Sequence, residues 1–131
     1  MGMKLIRYHH ELPVFKQSME VANLVFELTK SFPREEMYSL TDQVRRSSRS
    51  VSAIVSEAWR RRKYKWVFVN KLNEAEGEAA ETQTWLMHAV SCGYLSPERA
   101  RPIHALLDEI LAELTALGNK PDRWILKKTL E

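Results

Sequence analysis

The chain is short of the residues that staples, metal centres and phosphate loops require. Its one cysteine, Cys92, has no second thiol to pair with and no Cys or His spacing for structural zinc. No His or basic cluster beside Cys92 would lower its pKa, so it is not expected to act as a nucleophile. The four glycines form no phosphate-cradling loop, and no serine sits in a nucleophile elbow. No apolar run approaches the roughly 18–20 residues of a membrane span. The opening MGMKLIRYHHELP lacks the uninterrupted apolar stretch of a signal peptide, so a cytoplasmic protein with no membrane partner is expected. Histidine is also scarce. Di-iron bundles use Glu-x-x-His pairs, but Trp85 stands three residues before His88 and Arg101 three before His104. His9-His10 has no ligand spacing behind it. The expectation is no catalytic residue, no metal and no cofactor: not an enzyme.

What the chain does have is helical period. With 44% hydrophobic and 28% charged residues it has the composition of a folded soluble domain. Four amphipathic segments and no convincing strand can be read along it. The first starts at Pro13 and ends at Phe32-Pro33, with Val14, Val21, Leu24, Val25 and Leu28 as its buried stripe. The second starts at Ser39, with Asp42 as its capping-box partner, and buries Leu40, Val44, Ser47, Val51, Ile54 and Ala58. The third runs from about Tyr64 to Val90 with Phe68, Leu72, Ala75, Ala79, Thr82, Leu86 and Ala89 inward. Gly77 lies within it, and its cost of about 1 kcal/mol against Ala implies a packing reason. CGYLSPERARP then breaks the chain, with Gly93 as a C-cap, Ser96 as an N-cap and Pro97 at the first helical position. The fourth buries Ile103, Leu107, Ile110, Leu114 and Leu117 and closes at Gly118. These steps of four and three, with short connections, predict an all-α, up-down-up-down four-helix bundle over residues 13–118. Residues 1–12 form an N-terminal segment and 119–131 a C-terminal tail.

Charge is unevenly placed. Residues 1–66 carry 13 basic and 7 acidic side chains, a net of +6, while residues 67–131 carry 7 and 10, a net of −3. Residues 45–65, RRSSRSVSAIVSEAWRRRKYK, hold eight basic residues and one acid, Glu57. On a helical wheel at about 100° per residue, Arg45, Arg49, Ser52, Ser56, Arg60 and Lys63 fall within an arc of about 80°. Arginines and lysines so spaced suit successive phosphates, and Tyr64 and Trp66, interleaved with Lys63 and Lys65, suit stacking on unpaired bases. The competing reading is a solvated face, neutralised in part by Glu74, Glu78 and Glu81 on the third helix. Arg46, Ser50 and Glu57 lie on a different line, at the flank of the apolar face. With Glu81 as a partner for Arg46, they form a candidate half-buried polar network between helices.

Several motifs together carry a resemblance. They are Phe32-Pro33 with Glu36 and Leu40, then Gln43, Arg46, Ser50-Val51 and Glu57, and then Ala75, Gly77 and Glu81. From about Leu12 to Ser96 the chain resembles the bacterial four-helix-bundle proteins encoded by intervening sequences of large-subunit ribosomal RNA genes. Ile54, Ala58 and Glu78 depart from that pattern, standing where the family has Asn, Gly and Ser. The resemblance implies a bundle assembling as a homo-oligomeric ring, commonly a homopentamer, with no established enzymatic activity. A related accessory protein of diversity-generating retroelements engages reverse transcriptase and nucleic acid.

Two functions are therefore expected, in order, ahead of a third possibility, an assembly with no ligand beyond its own copies. The first is electrostatic binding of RNA or DNA through Arg45, Arg49, Arg60, Arg61, Arg62, Lys63 and Lys65. The second is a scaffold for a protein partner, such as a polymerase or reverse transcriptase, without nucleic-acid contact. Homo-oligomerisation is expected in either case, because the first helix is apolar over more than one face. Trp59, Trp85 and the tail residues Trp124, Ile125 and Leu126 are candidate interface anchors, the alternative being that they fold back on their own bundle.

Overall fold

The computed structural model describes residues 5–126 and among them contains four α-helices and no strand. These are α1 (Pro13–Thr29), α2 (Leu40–Arg60), α3 (Lys65–Ser91) and α4 (Pro97–Asn119). Each helix packs on its neighbours in sequence and α4 closes onto α1, with the largest interface between α2 and α3. That is the expected four-helix bundle. No helix among the described residues is long and apolar enough to cross a membrane.

The ends of the helices follow local chemistry, with one correction. Pro13 occupies the first turn of α1, where a missing N–H costs nothing. α3 ends in a Schellman turn: Gly93 takes φ 78°, Gly93 N–H donates to Val90 O at 3.0 Å, and Tyr94 N–H donates to Ala89 O at 2.9 Å. Ser96 Oγ caps α4 by accepting from Arg99 N–H at 3.2 Å. At α2, however, Ser39 and Asp42 form no capping box. Glu36, in the preceding 3-10 turn, accepts the Leu40 N–H at 3.2 Å and the Tyr94 hydroxyl at 2.9 Å, while Asp42 pairs with Arg46. These bonds hold the Glu36 carboxyl below its usual range, and the same contact pushes the Tyr94 phenol up to about 12.

The inward positions of α3 are those its period predicts: Phe68, Leu72, Ala75, Ala79, Thr82, Leu86 and Ala89 are all buried. In α4, Ile103, Leu107, Ile110 and Leu114 are buried and Leu117 is half-buried. The helix runs through Gly118 to Asn119 rather than stopping at the glycine. The alanines of α3 let α2 approach closely, and at that contact Thr82 Oγ1 lies 2.8 Å from Ser47 Oγ, both groups buried. Both hydroxyls also reach backbone carbonyls of their own helices, so neither is stranded.

Two expectations about packing fail, and Ile54, expected inward on α2, is only half-buried beside the buried Val55. Leu24 is exposed, and the inward row of α1 is Val14, Ser18, Val21, Val25 and Leu28, with Ala22 and Thr29 beside it. Ser18 and Thr29 hold inward positions because their hydroxyls donate to Val14 O at 2.6 Å and Val25 O at 2.8 Å. Gly77 has no packing reason among the described residues. It is exposed, and a Cβ built there meets nothing within 4 Å.

The segments flanking the bundle fold back onto it. Leu12 is buried, and Trp59, offered above as an interface anchor, is only 5% exposed. Its indole N–H donates to Arg7 O at 3.1 Å, and the Trp124 ring packs against it at 5.9 Å. Trp124 and Ile125 are half-buried on their own chain, as is Trp85, whose indole N–H donates to Glu81. Leu126 remains exposed.

Candidate nucleic-acid interface

The basic residues of α2 separate into three groups once their side chains are traced. The first lies against α1. Arg45 is half-buried: its Nε donates to Thr29 Oγ1 at 2.8 Å and its guanidinium sits 4.8 Å from the centre of the Phe26 ring. Arg49 lies 5.5 Å from the same ring and the Lys30 ammonium 4.9 Å, so one aromatic carries three cations. Beside them opens a cleft of about 460 Å³ whose walls include Thr41, Arg45, Arg46, Arg49 and Ser50.

The second group is at the end of α2. Arg60, Arg61 and Lys63 are exposed, with Tyr64 and Trp66 beside them, 55% and 71% exposed. The Lys63 ammonium lies 5.3 Å from the Tyr64 ring and that of Lys65 lies 5.0 Å from the Trp66 ring. Eleven residues separate Arg49 from Arg60, about 16 Å along the helix at ~1.5 Å per residue.

The third group is occupied within the chain. Arg62 stacks on Trp59 with 3.6 Å from guanidinium to ring centre, and donates to Trp59 O at 2.7 Å and Trp124 O at 3.4 Å. Its backbone carbonyl accepts the Leu126 N–H at 3.1 Å. The Arg62 side chain thus satisfies a carbonyl at the end of α2 and holds the tail, and burial pushes the guanidinium pKa down. Lys65 is half-engaged, through a 3.1 Å pair with Asp122. Ser52, placed by the wheel on the outer arc, is buried and donates to Arg49 O. Arg62 and Ser52 therefore leave the exposed basic face.

The polar network between α2 and α3 also differs from expectation. Arg46 is exposed and pairs with Asp42 at 2.9 Å, not with Glu81, and it joins the arginine cleft. Glu81 accepts from Trp85 at 3.2 Å. Glu57 is bridged by Lys71, which lies 3.0 Å from Glu57 and 3.2 Å from Glu74, and both contacts raise the lysine pKa. Ser50 donates to Arg46 O at 2.8 Å. Burial, followed by the neighbouring Glu81 charge, raises the Glu78 pKa, against the Ser50 hydroxyl nearby, which acts to lower it.

The acidic row of α3 is thus met by Lys71, at Glu74, and not by the arginines of α2. Arg49, Arg60, Arg61 and Lys63 have no carboxylate partner among the described residues. Lys30 and Phe26 are the members of this face that the sequence does not announce. They come from α1, and only helix packing brings them to Arg45. No group of three or more His, Cys, Asp or Glu among the described residues could hold a metal.

Three comparisons bear on this geometry. The sequence model of the 23S rRNA-intervening sequence protein family matches residues 10–116. A crystal structure of a protein of unknown function from the S23 ribosomal protein family of Bacteroides thetaiotaomicron superposes with a TM-score of 0.73. It is 30% identical to this chain, and the match covers 80% of this chain and 97% of the other. No curated protein matches the chain.

Proposed function

The chain belongs to the family of 23S rRNA-intervening sequence proteins, and from that membership and its surface charge we propose that it is a non-enzymatic, homo-oligomeric bundle that binds structured RNA. The observation that carries this reading is the set of unpaired cations on one helix and its following turn. Arg49, Arg60, Arg61 and Lys63 lack carboxylate partners among the described residues, and Arg45 and Lys30, the latter paired with Glu27 at 3.1 Å, extend the same face towards α1. Exposed cations without carboxylate partners are what a phosphate backbone neutralises, with release of its counterions.

Oligomerisation is part of the proposal. It is supported by Met19 and Leu24, which α1 leaves 42% and 41% exposed on its outer side. Assembly, commonly a pentamer in this family, would repeat the basic face around a ring and raise avidity without new contacts. The second reading, a scaffold for a polymerase-type protein, draws support from Met37 and Tyr38, 48% and 91% exposed at the turn entering α2.

The test is binding of a fluorescent structured RNA from about 50 to 200 mM salt, for the native protein and for Arg49→Glu/Arg60→Glu/Arg61→Glu. Each lost phosphate contact should reduce the slope of log K against log salt by roughly 0.7–0.9. The triple variant should thus bind weakly with a flatter slope while its oligomeric state persists. Absence of binding by the native protein at low salt would remove the nucleic-acid reading and leave the scaffold.

A further inference from the structure

On α3, Trp66, Asn70 and Asn73 follow one another at steps of four and three and so share one face of the helix. Packing of α4 against α3 sets Thr115, Gly118 and Asn119 opposite them, and a cleft of about 430 Å³ lies between the two rows. That volume falls in the roughly 300–1,000 Å³ range of small-ligand sites. Trp66 forms one wall, 71% exposed and outside every aromatic pair among the described residues. The amides of Asn70, Asn73 and Asn119 make no hydrogen bond to any described residue. Glu76 accepts the Thr115 hydroxyl at 2.6 Å and keeps further acceptor capacity. Gly118 adds no side chain to the floor.

The chemistry of the walls restricts the occupant. An aliphatic ligand would displace water from the three exposed amides and give them no partner in return. An anion would meet Glu76. A flat ring with donors and acceptors along its edge fits both the indole face and the amides, and the lysines beside Trp66 suit a phosphate attached to it. Lys65 immediately precedes Trp66, and Lys63 is exposed two residues earlier.

We infer that this cleft takes an unpaired nucleobase of an RNA strand, stacked on Trp66 and read at its edge by Asn70, Asn73 and Asn119. The strand's phosphates pass over Lys63 and Lys65, and a polyanion competes with Asp122 for Lys65. The inference rests on the nucleic-acid reading above and narrows its substrate class to RNA with single-stranded segments. Bases paired and stacked within a duplex cannot reach the indole.

The experiment compares a short unstructured RNA with a blunt RNA duplex, by fluorescence anisotropy at one salt concentration. It uses the native protein, Trp66→Ala, Trp66→Phe and Asn70→Ala/Asn73→Ala. Alanine at these exposed helical sites favours the helix, so the fold persists. Trp66→Ala should lose on the order of tenfold in affinity for the unpaired RNA, the effect of one stacked base, and leave the duplex unaffected. Trp66→Phe should retain most of the binding, and the asparagine pair should change the ranking of poly(A), poly(C) and poly(U). Equal losses on both RNAs, or no loss on either, would overturn the inference while leaving general RNA binding intact. A changed sedimentation coefficient in Trp66→Ala would overturn it differently, showing that a second copy of the chain covers the cleft. If the native protein binds neither RNA, the broader reading fails and this one with it.

Discussion

Replacing Arg62 by alanine should loosen the tail and leave RNA binding nearly intact, although Arg62 sits between two residues that the same charge pattern assigns to RNA. The side chain stacks on Trp59 at 3.6 Å and donates to two carbonyls, at 2.7 and 3.4 Å. A hydrogen bond from a charged donor contributes about 1.5–3 kcal/mol, and a partly desolvated cation–π contact up to about 2 kcal/mol. The longer bond adds little, and contributions from one side chain overlap. A loss of about 2–3 kcal/mol follows for the structure joining Trp59, Trp124 and Leu126. With an m-value of roughly 1–3 kcal/mol/M in urea, the unfolding midpoint should fall by about 1 M if the tail unfolds with the bundle. If the tail detaches first, the same loss should appear as faster amide exchange at Leu126, whose N–H donates to Arg62 O. RNA affinity should change much less than in Arg60→Glu/Arg61→Glu. The reasoning is refuted if Arg62→Ala keeps the native midpoint and tail protection while losing RNA binding as Arg60 and Arg61 variants do. That result would place the guanidinium on phosphate.

Two further substitutions test positions where sequence and structure disagree or where charge is crowded. Gly77→Ala should stabilise the protein by about 0.5–1 kcal/mol, because the site is an exposed helix interior with nothing near the added methyl. A lower melting temperature, or loss of the oligomer, would show that a neighbouring copy packs on that glycine. Glu78→Gln should raise stability at neutral pH. The folded-state pKa of Glu78 is raised above the usual 4.5 by burial and by Glu81, so its ionised form opposes folding, and stability returns as pH falls towards 4.5. The gain in the variant should therefore shrink through that window, and a gain that is constant with pH would count against the charge argument.

The helices were legible because burial imposes a period, and α3 and α4 place their inward residues where steps of four and three put them. α1 was harder. Ser18 and Thr29 point inward by bonding to their own helix, which no hydropathy scale rewards, while Leu24 is apolar and out of phase. The basic face was only partly legible. A wheel gives the direction of Cβ, but arginine is long enough to lie along a neighbour, as Arg45 does on Phe26 and Arg62 on Trp59. Which cation stays free is then decided by residues far away in sequence. The same holds for the cleft beside Trp66. Asn70 and Asn73 follow Trp66 on one helix face without any motif to single them out, and Asn119 joins them only through the packing of α4.

The two hydroxyls buried between α2 and α3 have a consequence for how the helices can align. A seam built from a repeating four-three rhythm keeps that rhythm after a shift of one heptad, although Phe68 and Leu72 would then fall where Ala75 and Ala79 pack. Ser47 and Thr82 do not repeat. In the observed alignment they face each other at 2.8 Å, whereas a shifted one would set each hydroxyl against apolar neighbours and forfeit their mutual bond. They therefore act as a registration mark. A small polar contact contributes little to the total stability, yet it helps to select one sliding position of the largest interface, that between α2 and α3.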